Sequence, residues 1–113
     1  MLPAWLTPDD LAFYAGEFER TGFRGGLNWY RCLDRNWELA RPWHDVRIEQ
    51  LALYVAGERD CVRTMAAAGV EHTRTHVPGL VEVIVLPGCG HWTQQERPDA
   101  VNDLLLAFLG DLP

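Results

Sequence analysis

Two short stretches of this chain carry residues able to move a proton between them. One is Gly57-Glu58-Arg59-Asp60 and the other is Pro87-Gly88-Cys89-Gly90-His91-Trp92. Each directly follows an apolar run of strand character, Leu51-Ala52-Leu53-Tyr54-Val55-Ala56 and Val81-Glu82-Val83-Ile84-Val85-Leu86. Parallel strands present functional loops at their carboxyl ends. If these two are neighbours, about 4.8 Å apart, their loops open on one rim. An Asp would then face a His across hydrogen-bonding distance, the acid–base half of a nucleophile–His–acid triad. In that chemistry the carboxylate orients the imidazole and the imidazole activates water or a nucleophile. The same residues also read without chemistry, with Asp60 capping the next helix and His91 an ordinary loop residue. Spacing alone leaves both readings open.

The elements that must position these loops follow from periodicity. Thr7-Pro8-Asp9-Asp10 supplies a helix N-cap, a Pro at the first helical position and two carboxylates against the positive dipole end. Leu11, Tyr14 and Phe18 recur at helical spacing, with Tyr14 expected in the core of this first helix, and Gly22 is its expected stop. A Gly-rich turn leads to a second helix expected from about Leu27 to Leu39, with Leu27, Tyr30, Leu33 and Trp37 on one stripe and Pro42 at its end. Residues 62–68 read as weakly helical, interrupted by Gly69, between the two apolar runs. An amphipathic helix beginning near Pro98 closes the chain, its stripe formed by Val101, Leu104, Leu105, Phe108 and Leu109.

The implied class is α/β, with two parallel strands joined through a right-handed helical crossover. Both runs are apolar on both faces, a pattern of strands covered from two sides, so the chain reads as part of a larger α/β sheet. The composition sets further bounds. The chain has 113 residues, a net charge of −6 and 48% hydrophobic residues, enough for one domain with a real core. It has neither Ser nor Lys, and all 10 basic residues are Arg. A serine nucleophile and a Schiff-base lysine are therefore excluded. The acidic balance argues against nucleic acid as a partner. Apolar runs of about six residues are too short to cross a bilayer. No basic segment followed by an apolar one opens the chain, so no secretory signal is expected. Cys32, Cys61 and Cys89 are odd in number and form no CxxC pair, which points to a reduced, cytoplasmic setting.

The residues around the two loops narrow the reading. Val55-Ala56-Gly57-Glu58-Arg59-Asp60, Gly88-Cys89-Gly90-His91-Trp92 and Gln95-Glu96-Arg97-Pro98 resemble the last third of the α/β-hydrolase fold. Thr21-Gly22-Phe23-Arg24-Gly25-Gly26-Leu27-Asn28-Trp29-Tyr30-Arg31, with Arg35-Asn36-Trp37, resembles the cap segment of α/β-hydrolase epoxide hydrolases that supplies a lid tyrosine. The resemblance covers essentially the whole chain. It implies a C-terminal fragment of that fold, with residues 1–45 from the helical cap and 46–113 from the core.

By the same resemblance, Tyr30 donates its phenolic hydrogen to the opening epoxide. His91 activates the water that hydrolyses an aspartyl ester, and Asp60 holds His91 in the required tautomer. A phenol with pKa near 10 suits the first role, because it stays protonated at neutral pH. Trp29 and Trp92 are the expected substrate-binding aromatics, and no metal or cofactor is implied. The Tyr30 segment favours epoxides over the haloalkanes and esters handled elsewhere in the superfamily. The nucleophile of the resembled family is an Asp in a Gly-x-Asp-x-Gly-like elbow. That elbow, the His-Gly-x-Pro oxyanion segment and the second lid tyrosine are absent from these 113 residues. Alone, the chain is expected to be inactive. The alternative is a non-catalytic product whose open sheet edge pairs with a complementary N-terminal fragment or with a second copy.

Three weaker candidates remain. His72 and His76 stand at i, i+4, but the stretch His-Thr-Arg-Thr-His lacks a glutamate and an evident third ligand, so a solvated face is expected. Gly88-Cys89-Gly90 begins like a dinucleotide loop, yet Thr93 occupies the place of the third glycine. Cys89 lies too close along one tight loop to exchange a proton with His91.

Overall fold

The computed structural model describes residues 1–65 and 69–113. The chain divides into two compact units, Met1–Asp45 and Val46–Pro113.

The first unit is helical. Helix α1 (Pro8–Thr21) begins in a capping box: Thr7 Oγ1 accepts the Asp10 N–H at 3.1 Å, and the Asp10 carboxylate accepts the Thr7 N–H at 2.9 Å. These bonds with Thr7 hold the Asp10 carboxyl below the usual carboxylate range. Gly22 ends the helix at φ 67°, its N–H donating to the Phe18 carbonyl at 2.7 Å. The Phe18 and Phe23 rings stack across this turn, 4.6 Å between centroids.

The single helix expected from Leu27 to Leu39 is instead two, α2 (Arg24–Arg31) and α3 (Leu33–Ala40). They meet at Cys32, where ψ relaxes to 3°. The hydrogen-bond ladder nevertheless passes through, since the Cys32 N–H reaches Asn28 at 3.1 Å and its carbonyl accepts from Asn36 at 2.7 Å. A one-residue change in ψ leaves the apolar spacing intact, which is why the pattern does not register it. Pro42, lacking an N–H, falls in a short 3₁₀ turn, Arg41–Trp43. None of α1–α3 contributes a buried residue. Tyr14 is thus not the core residue expected, and the stripe Leu27, Tyr30, Leu33 and Trp37 is exposed.

The second unit holds the sheet. Strands β1 (Ala52–Gly57) and β2 (Leu80–Leu86) pair in parallel from Leu53↔Glu82 to Gly57↔Leu86, with Val81 as an extra residue after the Ala52↔Leu80 pair. Helices α4 (Cys61–Met65) and α5 (Gly69–His76) belong to the crossover between them. Helix α5 is described from Gly69 onward; the helical reading of residues 66–68, and with it the expected interruption at Gly69, lies outside the described residues. After β2 come a short helix not anticipated from the sequence, α6 (Thr93–Glu96), and α7 (Pro98–Gly110).

The core is Leu86, Cys89 and Val101, with Val55, Ile84, Ala100 and Leu104 packed against it. It lies toward the carboxyl ends of the strands, where Ala56 and Leu86 are buried; at the other end Leu80 is buried, but Leu51 and Val81 are exposed. The strands are therefore not covered on both faces as expected. Among the described residues the sheet has two strands, and α7 packs on it through Ala100, Val101 and Leu104. Leu105 and Leu109 stay exposed, so the packed stripe of α7 is narrower than the sequence suggests. No helix among the described residues is long and apolar enough to cross a membrane.

Candidate active site

The two loops at the carboxyl ends of β1 and β2 are laced together by the backbone. The Glu58 N–H donates to the Leu86 carbonyl at 3.0 Å, and the Arg59 N–H to the Cys89 carbonyl at 2.8 Å. This approach requires a glycine at Gly57. A Cβ there would stand 2.0 Å from the Gly90 oxygen and 2.5 Å from the Cys89 oxygen, closer than any side chain tolerates.

From this base the loops deliver Asp60 and His91. Asp60 Oδ1 accepts the Val62 N–H at 2.8 Å at the start of α4, and the same oxygen lies 3.0 Å from His91 Nδ1. Asp60 is therefore both the helix cap and the histidine partner that the sequence left as alternatives. Its side chain is 13% exposed and that of His91 50%. Burial pushes the Asp60 carboxyl up, but the Val62 N–H, His91 and the Arg63 N–H outweigh it, and the net shift is downward. The group is an acceptor at neutral pH. An acceptor at Nδ1 favours the tautomer with its proton there, leaving the Nε2 lone pair as the base. Trp92 sets its ring edge-on to the imidazole, 5.1 Å between centroids.

Two carboxylates that sequence reasoning missed grip the histidine loop. Glu58 Oε2 accepts the Gly88 N–H at 2.7 Å, where Gly88 adopts φ 66°. Glu96 accepts the Gly90 N–H at 2.7 Å and the Trp92 N–H at 3.1 Å. The available signal was a glutamate on each side of a Gly-rich loop, which spacing alone does not convert into a contact. With these N–H groups taken, and α6 only 4 residues long, the loop offers no phosphate cradle of the dinucleotide kind.

The remaining candidates fall into place. Cys89 is fully buried, and burial together with the neighbouring Glu96 pushes its thiol up, so it stays protonated and unreactive. His72 and His76 both lie on α5, and the described residues include no cluster of three potential ligands for a metal ion. Tyr30 and Trp29 lie on α2 in the first unit, both largely exposed. Trp37 is exposed too, with the Arg41 guanidinium 5.9 Å from its ring centroid.

No protein-family profile matches the chain. Individual proteins match it closely. Epoxide hydrolase A of Mycobacterium tuberculosis is 43% identical over 111 residues, which is 98% of this chain and 34% of that protein. The solved epoxide hydrolase from an endophytic Streptomyces superposes with a TM-score of 0.93 at 48% identity, over 97% of this chain and 33% of that one. Epoxide hydrolase A from Mycobacterium thermoresistibile gives a TM-score of 0.92 at 45% identity, over 100% of this chain and 35% of that one. The chain corresponds to a C-terminal part of the α/β-hydrolase epoxide hydrolases.

It spans about a third of the length of the epoxide hydrolases it matches. Its parallel pair β1–β2 and flanking helices are the portion of the epoxide-hydrolase fold present here. No Gly-x-Asp-x-Gly elbow occurs within these 113 residues.

Proposed function

We propose that this chain carries the water-activating half of an epoxide hydrolase acting on a small-molecule epoxide, and that its nucleophilic aspartate lies on a segment outside these residues. The observation that carries the reading is the 3.0 Å contact between His91 Nδ1 and Asp60 Oδ1 on loops locked together at adjacent parallel strand ends. The relatives named above, all called epoxide hydrolases, support the choice of substrate.

In this reading residues 46–113 are core and residues 1–45 part of the helical cap, a division supported by the separation of the two units after Asp45. The aspartate attacks an epoxide carbon, the C–O bond breaks, and Tyr30 gives its phenolic proton to the departing oxygen. An ester and a phenolate result. His91 Nε2 then takes a proton from water, and the hydroxide adds to the ester carbonyl. The ester C–O bond breaks, the leaving alkoxide takes the proton of the new carboxylic acid, and the vicinal diol departs; His91 then gives its proton to solvent and the Tyr30 phenolate regains one from solvent. Asp60 keeps the imidazole oriented and stabilises it while charged. Trp29 and Trp92 supply apolar walls for the substrate, and no metal or cofactor takes part. Three free cysteines support a reduced, cytoplasmic setting.

A diol-forming assay on an aromatic epoxide tests the reading. The purified chain alone is expected to be inactive, and addition of a segment bearing the nucleophile elbow is expected to produce diol. Turnover by the chain alone, or none after complementation, contradicts it.

A second reading is favoured by the exposure of Leu51 and Val81 beside a two-stranded sheet. In it the chain is a non-catalytic partner whose open edge pairs with a complementary N-terminal fragment or a second copy. Size-exclusion chromatography with light scattering separates these: a concentration-dependent dimer without diol formation supports self-pairing.

A further inference from the structure

The imidazole of His91 is half exposed and sits on a loop of small residues, so Asp60 alone does not fix it. Asp60 can orient the ring only once the backbone beneath it is in place. A catalytic base has to be held within about 0.5 Å of its productive position. The backbone on both sides of His91 is held by one side chain. Glu96 Oε2 accepts the Gly90 N–H at 2.7 Å and Glu96 Oε1 accepts the Trp92 N–H at 3.1 Å, so one carboxylate bridges the residue before His91 and the residue after it. The carboxylate sits directly against this peptide, since a Cβ on Gly90 would lie 2.8 Å from Glu96 Oε1. On the opposite side the Gly90 carbonyl presses on Gly57, where a Cβ would stand 2.0 Å away.

Glu96 is itself anchored. It ends α6, whose first residue Thr93 is buried; the Arg97 N–H donates to Thr93 at 2.9 Å, and the Val101 N–H, from a core residue, to Arg97 at 3.0 Å. The carboxylate thus transmits the rigidity of the core to the loop.

We propose that Glu96 is a positioning residue for His91, clamping the peptide groups that flank it so that the imidazole meets Asp60; this rests on His91 being the base in the reading above. Glu96 touches neither substrate nor reacting atoms, and it acts through the geometry of the Gly90-His91-Trp92 backbone. A glutamine at this position keeps the size of the side chain but can accept through only one of its two terminal atoms. Its amide nitrogen would confront the Gly90 or the Trp92 N–H, and one half of the clamp is lost.

Imidazole ¹⁵N and ¹H spectra of His91 in the 113-residue chain provide the test, with Asp60→Ala as the reference for an uncoupled ring. The wild-type chain is expected to show the Nδ1–H tautomer with a slowly exchanging Nδ1 proton. Glu96→Gln and Glu96→Ala are expected to lose that proton signal and move toward the tautomer mixture of the reference, while the amide signals of β1, β2 and α7 stay in place. A wild-type His91 signature in both variants overturns the proposal. So does an uncoupled ring in the wild-type chain. If Glu96→Ala fails to fold, Glu96→Gln decides; general collapse in both assigns Glu96 to the fold and overturns a positioning role. The readout involves no epoxide, so its failure is distinct from failure of the diol assay.

Discussion

The two units of this chain are both rich in apolar residues, yet they use them differently. In Val46–Pro113 a parallel strand pair and α7 enclose Leu86, Cys89 and Val101. In Met1–Asp45 the helices α1–α3 bury no residue, and Leu11, Phe13, Trp29, Leu33 and Trp37 face outward. The first unit's helices are specified locally, by the Thr7–Asp10 capping box and the Gly22 stop. The second unit is specified by contacts between distant residues, and only such contacts can bring Asp60 and His91, 31 positions apart, to hydrogen-bonding range. Local signals build elements, whereas a site needs a core behind it.

The contrast is broken most severely at the glycines. Gly57→Val places a branched side chain against the Gly90 and Cys89 oxygens, and a loss of about 4 kcal/mol or more is expected, enough to unfold the second unit. Gly16→Ala in α1 meets nothing within 4 Å and is expected to gain about 0.5–1 kcal/mol of helix stability. Urea titrations followed by circular dichroism measure both. A near-neutral Gly57→Val would show that the loops are not locked as described.

Truncation of apolar side chains sharpens the same difference. Leu86→Ala removes a buried core residue and is expected to cost about 3 kcal/mol. Leu33→Ala, at an exposed position of α3, is expected to cost less than about 0.5 kcal/mol. Equal losses in thermal or urea unfolding would mean that the first unit has a core after all.

The smallest effect concerns acid stability. The folded-state carboxyl of Asp60 is held below its ordinary value, so the unfolded chain binds this proton more readily. Its stabilising contribution is complete above roughly pH 4, the unfolded value, and is lost as pH falls through the lowered folded value. Asp60→Asn is expected to flatten that part of the stability–pH curve in the second unit. An unchanged acid limb would separate Asp60 from the fold.

Much of this organisation is written in the order of residues. Thr7 and Gly22 mark the ends of α1 through side-chain capping and positive φ, both properties of single residues. The parallel pairing of β1 and β2 follows from two apolar runs separated by a helical crossover. The reach between Asp60 and His91 follows from which strand ends they occupy. What the sequence conceals depends on three-dimensional approach. The division at Cys32 is a single torsion inside an unbroken ladder. The grip of Glu58 and Glu96 on the histidine loop emerges only when backbone N–H groups need acceptors. The exposure of Leu51, Val81, Leu105 and Leu109 reflects a sheet of two strands, where the apolar pattern describes strands with neighbours.

The central claim is that His91, oriented by Asp60, activates the water that releases product. The most direct measurement is the mass of the nucleophile-bearing segment after the complemented protein meets an aromatic epoxide. With His91→Gln, the account predicts a covalent adduct of one substrate mass that forms and persists, while the unsubstituted chain clears it and yields diol. Clearance of the adduct by His91→Gln at the unsubstituted rate would contradict it.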